Sequence, residues 1–72
     1  MELNEEEKRI VKYIIKGLTN IEIAQELEYC ESTVKKRLTR IYKKIGINGR
    51  IDLMKKALDG TLVKYFPVHD KI

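Results

Sequence analysis

Tryptophan is absent from this 72-residue chain, and cysteine, proline, histidine and phenylalanine each occur once. The single cysteine, Cys30, cannot close an internal disulfide, so the fold must rest on packing, and a reducing cytoplasm is the compartment such a chain suits. No apolar run approaches the roughly 18 residues of a membrane span. The N-terminal stretch carries Glu2, Glu5, Glu6 and Glu7, which is the wrong charge for a secretory signal. A soluble, cytoplasmic protein with no membrane partner is expected. The inventory of catalysis is missing as well: there is no metal-ligand cluster, no Ser/His/Asp or Cys/His set outside a tail expected to fray, and no phosphate-cradling glycine loop. The chain is too small to enclose a substrate pocket, so no enzyme activity and no cofactor are expected. A single domain of this length buries only about 60% of its unfolded surface, close to the lower limit for folding alone, and a partner subunit would help it.

What the chain has in quantity is charge, unevenly placed. Residues 1–31 hold eight acids and four bases, a balance of −4, whereas residues 32–72 hold eleven bases and three acids, a balance of +8. Such a one-sided field attracts polyanions and releases their counterions on binding, and it should turn the acidic segment away from them. The basic half is organised around residues 30–46. Val34, Leu38, Ile41 and Ile45 recur at spacings of four, three and four, so a helix stacks them in one apolar stripe and turns the residues between them outward. Those residues include Lys35, Lys36, Arg37, Arg40, Lys43 and Lys44, with no acid between Ser32 and Asn48. A solvated helix face usually mixes in glutamates one turn from its lysines, and their absence favours a polyanion partner over simple solubility. The helix is long enough to fill a major groove of DNA.

Taken in order, the chain opens with Asn4 followed three residues later by Glu7, a capping box with three glutamates in the first helical turn. The spacing predicts a first helix over about 5–16, burying Ile10, Val11, Ile14 and Ile15, with Tyr13 at the edge and Gly17 as the stop. Thr19 and Glu22 form a second capping box, which starts a short helix over 20–27 with Ile23, Ala24 and Leu27 inward. Only Glu28, Tyr29 and Cys30 separate it from the basic helix, 31–45, which Gly46 closes. A short helix, a tight turn and a helix with a polar outer face is the helix-turn-helix arrangement, although spacing alone suits any small helical hairpin equally. Asn48 is the expected cap of a last helix over about 49–59. There Ile51, Leu53, Met54, Ala57 and Leu58 cover two adjacent stripes, one for the domain and one for a partner, most economically a symmetric copy. In the tail, 61–72, residues 66–72 are expected to fray, and His69 to be solvated.

Together, Leu3-Asn4-Glu5-Glu6-Glu7, the run from Gly17 to Ala24, Ser32-Thr33-Val34-Lys35, Lys43 to Ile47, and Arg50 resemble the LuxR/GerE-type helix-turn-helix domain of bacterial transcription regulators. The resemblance covers residues 3 to about 62, with five blocks in order at the family's spacing. The stand-alone GerE kind, without a receiver or ligand-binding domain ahead of these blocks, is the form the resemblance leads one to expect. The resemblance implies an all-α, four-helix domain that binds double-stranded DNA as a homodimer, its third helix in the major groove and its fourth at the dimer axis. It implies base contacts from Lys35, Lys36 and Thr39, and phosphate contacts from Thr19, Asn20, Thr33, Arg37, Arg40 and Lys43. The dimer interface would be Ile51, Met54 and Leu58. Two positions depart from the family's pattern. Cys30 stands where a serine cap is common, leaving either Cys30 or Ser32 to cap the basic helix, and Arg37 stands where histidine is common. Cys30 at a helix N-terminus could have a lowered thiol pKa and act as a redox switch, but a lone cysteine is more often an inert, part-buried residue.

A sequence-specific, homodimeric transcription regulator is therefore the leading expectation, with RNA polymerase a further candidate partner. The alternative is a protein-interaction module, such as a fragment like region 4 of a sigma factor or an adaptor that binds polymerase or another regulator. RNA binding is disfavoured because Tyr42 is the only aromatic residue in the basic helix.

Overall fold

A computed structural model describes residues 3–60 of the chain. Among the described residues the structure is all-α, with four helices: α1 Glu5–Ile15, α2 Asn20–Leu27, α3 Glu31–Ile45 and α4 Arg50–Leu58. The expectations for residues 61–72 and for His69 lie outside the described residues. No helix among the described residues is long and apolar enough to cross a membrane.

Local chemistry sets most boundaries. In α1, Asn4 Oδ1 accepts from the Glu7 amide at 2.8 Å while Glu7 Oε1 accepts from the Asn4 amide at 2.9 Å. Thr19 and Glu22 make the same reciprocal pair at the start of α2, at 3.1 and 2.8 Å. Both boxes satisfy amides that the first helical turn would leave without partners. The α1 helix ends where Gly17 takes φ +97°, which lets the Leu18 amide reach back to the Tyr13 carbonyl at 3.0 Å. Gly46, at φ +86°, closes α3 in the same way, with the Ile47 amide 3.0 Å from the Tyr42 carbonyl. The turn between α2 and α3 uses a left-handed residue too, but here it is Glu28, at φ +60°. That conformation costs a side-chain-bearing residue about 1 kcal/mol or more.

Two capping expectations resolve. The cap of α3 is Cys30, not Ser32. The start of α4 is corrected: the N-cap is Gly49, not Asn48, and the bond at this end comes from Asp52 Oδ2, which accepts from the Asn48 amide at 3.2 Å. A carboxylate one turn inside the helix thus serves from the opposite direction.

The core is assembled from Leu3, Ile10, Val11 and Ile14 of the α1 region, Ile23 and Ala24 of α2, Val34, Leu38 and Ile41 of α3, and Ile47 and Leu53. The α2 helix packs on α3, and α1 spans the back of the domain against α2, α3 and α4. One core assignment is corrected. Ile15 is 39% exposed, and the buried stripe includes instead Glu7 at the other end of the helix, which is only 3% exposed. Glu7 sits three and four residues before Ile10 and Val11, so the buried stripe of α1 runs 7-10-11-14 and leaves Ile15 one step off it.

Candidate nucleic-acid interface

The α3 helix has three kinds of surface. Val34, Leu38 and Ile41 are buried against the core. Lys35, Lys36, Thr39, Arg40 and Lys43 are exposed on the opposite arc. Between the two lie Arg37 and Lys44, roughly 60–80° round the wheel from Val34, close enough to the packed face to turn back toward α1.

They do turn back. Lys44 Nζ donates to Glu7 Oε1 at 2.8 Å. Burial raises the Glu7 carboxyl, but the Lys44 bond, the Asn4 amide and the positive field of Lys44 and Arg40 outweigh it and hold the group below the usual glutamate range. Arg37 Nε lies 3.3 Å from Glu6 Oε1 as an ion pair, off the hydrogen-bonding line. Its guanidinium also stands over the Tyr29 ring, 5.5 Å from the centroid. The Tyr29 hydroxyl donates in turn to Glu6 Oε2, which holds the phenol above its ordinary range. This corrects the expectation that all six cations of the helix face outward. It also corrects the expectation that the acidic segment simply points away: Glu6 and Glu7 neutralise the inner flank of α3 and leave the outer arc basic.

On that arc, Lys35 has one acidic neighbour, Glu31, at 4.0 Å and with both side chains largely exposed, so the pair is weak. The Thr39 hydroxyl donates to the Lys35 carbonyl at 3.1 Å, which leaves its oxygen as an acceptor. Lys36, Arg40 and Lys43 present their charges to solvent.

The other expected DNA-contacting residues lie at the N-terminal ends of α2 and α3. Thr33 is half-buried, with its hydroxyl 3.2 Å from Cys30 Sγ; the Ser32 hydroxyl is 3.3 Å from the same sulfur. These hydroxyls lower the exposed Cys30 thiol to about 7. Thr19 is exposed and caps α2, and Asn20 follows it half-buried. Arg50 reaches from the first turn of α4 to this corner: Nη1 donates to Asn20 Oδ1 at 3.0 Å and Nη2 to the Leu18 carbonyl. On α4, Leu53 is buried and Met54 half-buried, whereas Ile51 and Leu58 are 72% and 88% exposed. Ile51 and Leu58 are two turns apart on one face.

Sequence reasoning missed the tertiary roles of Glu6, Glu7, Tyr29 and Arg50. Glu7 carried a signal, being both a capping-box residue and in register with Ile10 and Val11. Arg50 carried none beyond its place in the family's pattern.

Residues 1–57 match the family described as "Bacterial regulatory proteins, luxR family". The "Transcriptional regulatory protein YdfI" of Bacillus subtilis is 44% identical over 57 residues, 79% of this chain and 27% of that protein. The "Putative HTH-type transcriptional regulator Rv0890c" of Mycobacterium tuberculosis is 35% identical over 51 residues, 71% of this chain and 6% of that protein. The chain thus spans only a fraction of the length of these relatives. No solved structure matches it.

Proposed function

The chain belongs to the LuxR family of bacterial regulatory proteins, and from that premise we propose that it is a transcription regulator of the cytoplasm that binds double-stranded DNA as a homodimer. The observation that carries the reading is the outer arc of α3. Lys35, Lys36, Thr39, Arg40 and Lys43 are all exposed there, while Glu6 and Glu7 of α1 are occupied on the inner flank.

With α3 in the major groove, Lys35 and Lys36 would donate to guanine O6 and N7, and Thr39 would accept from a base amino group or touch a thymine methyl. Arg40 and Lys43, at the margins of the arc, would meet phosphates, as would Thr19 and Asn20 at the start of α2. Thr33, beside the α3 N-terminus, completes that set. Arg37 reaches a phosphate only by leaving Glu6. The exposed pair Ile51 and Leu58, with Met54 between them, supplies a self-complementary apolar strip for a two-fold partner, and half-sites would then fall about 34–36 Å apart. RNA polymerase would be reached from the DNA-bound dimer.

The test is selection of duplexes from random sequence, followed by titration at several salt concentrations. Two phosphate-neutralising cations per subunit, Arg40 and Lys43, predict a slope of log K against log salt of about −3.6 for the dimer. No preferred duplex and no salt dependence would refute the reading and favour a protein-interaction module.

A further inference from the structure

Arg50 stands outside the α3 arc, yet its side chain joins α4 to the first turn of α2. Its two contacts differ in kind. The Leu18 carbonyl anchors the guanidinium to the α1–α2 turn. The Asn20 contact does something more specific, because a guanidinium has donors and no acceptor. Asn20 must therefore turn its Oδ1 toward Arg50, and its Nδ2 amide is set on the other side.

An asparagine without such a neighbour can show either end of its amide outward, and the oxygen end would repel a phosphate. We propose that Arg50 is a positioning residue for DNA binding: it fixes the Asn20 amide so that the N–H donors face the phosphate backbone. This rests on the reading that the start of α2 meets DNA. Arg50 does not itself touch DNA; it acts through Asn20 and makes the first turn of α4 and the phosphate-binding corner of α2 one unit. Half-burial and two anchored nitrogens keep the guanidinium in place at that corner.

The experiment compares Arg50→Met, Arg50→Lys, Asn20→Ala and the double variant Arg50→Met/Asn20→Ala on one selected duplex at several salt concentrations. Arg50→Met should weaken half-site binding roughly 3–10-fold, part of the worth of one hydrogen bond to an anionic phosphate, since Asn20 itself remains. The double variant should bind no more weakly than Asn20→Ala alone, and the salt slope should stay unchanged. Arg50→Lys, also a donor-only side chain, should recover part of the loss and guards against a folding defect in the methionine variant. Losses that add would show that Arg50 does not act through Asn20. A slope shallower by about 0.9 per subunit would make Arg50 a direct phosphate ligand. Either result overturns the proposal.

A second readout needs no DNA. In the free protein the Asn20 side-chain amide resonances should move on Arg50→Met, and the guanidinium protons of Arg50 should exchange faster in Asn20→Ala. Unmoved resonances would overturn the positioning role alone. A wild-type protein that shows these couplings but binds no duplex would overturn the functional reading and this proposal with it.

Discussion

Replacing Lys44 by methionine should cost more stability than replacing Glu7 by glutamine, although both break the same ion pair. The asymmetry comes from burial. Glu7 is 3% exposed as a side chain and Lys44 22%, so an ammonium left alone can recover water that a carboxylate left alone cannot. Glu7→Gln also keeps Oε1, the oxygen that accepts from both the Asn4 amide and Lys44 Nζ, and loses only the charge assistance of the Lys44 bond, about 1–2 kcal/mol. Lys44→Met strands a buried carboxylate, which costs about 3–5 kcal/mol in a dry site; the surviving Asn4 bond and the partial access beside Lys44 bring the expectation to about 2–4 kcal/mol. A chain of this size has about 4–10 kcal/mol in all, so the midpoint temperature should fall by about 10–25 °C.

The pH dependence follows from linkage. The folded-state pKa of Glu7 lies below its ordinary value, so its stabilisation is fully present above the usual glutamate range and is lost as pH falls from that range through the lower folded value. Without Lys44, burial pulls the folded value upward, and a protonated Glu7 needs no cation. The gap between wild type and Lys44→Met should therefore narrow between pH 7 and about pH 4. Urea unfolding at both pH values, at one fixed protein concentration and with unchanged m, measures it. A Lys44→Met cost no larger than that of Glu7→Gln, or a gap that does not narrow, would refute the reasoning.

Other outcomes follow from single residues. Glu28→Gly relieves the left-handed position in the α2–α3 turn and should stabilise the protein by about 0.5–1 kcal/mol, read as a shift in urea midpoint. Glu6→Gln keeps an acceptor for the Tyr29 hydroxyl but frees Arg37, and duplex affinity should rise up to about 5-fold, within the worth of a part-exposed ion pair; unchanged affinity would keep Arg37 a structural residue. Leu58→Glu replaces a side chain 88% exposed on the monomer, so helical content should be retained while the protein sediments as a monomer and loses affinity for two-half-site duplexes. A wild-type protein monomeric on its duplex would remove Ile51, Met54 and Leu58 from any dimer interface.

Features decided within one turn of chain are legible in the sequence itself. The capping boxes of Asn4 with Glu7 and Thr19 with Glu22, the stripe of Val34, Leu38 and Ile41, and the glycines closing α1 and α3 all follow local rules, and they place four helices. The outer arc of α3 is legible for the same reason, since Lys35, Lys36, Thr39, Arg40 and Lys43 are fixed by helical period against the buried stripe. What periodicity does not supply is the destination of residues at the edge of a stripe. Arg37 and Lys44 differ from their outward neighbours only because α1 brings Glu6 and Glu7 beside them. Glu7 can join the buried stripe because Lys44 pairs its carboxylate, and nothing local announces that pair. Arg50 is the extreme case, as its partners lie thirty and thirty-two residues back in the chain.

The central claim, that the exposed arc of α3 reads DNA, is tested most directly by comparing Lys36→Ala with Arg40→Ala on a selected duplex and on variants carrying single base changes. If Lys36 makes a bidentate base contact and Arg40 a phosphate contact, Lys36→Ala loses about 1–3 kcal/mol of discrimination at one position. Arg40→Ala should instead weaken every duplex alike and reduce the salt slope by about 1 per subunit. Two variants that bind all duplexes as the wild type does would contradict the account, because the arc would then not be the surface that meets DNA.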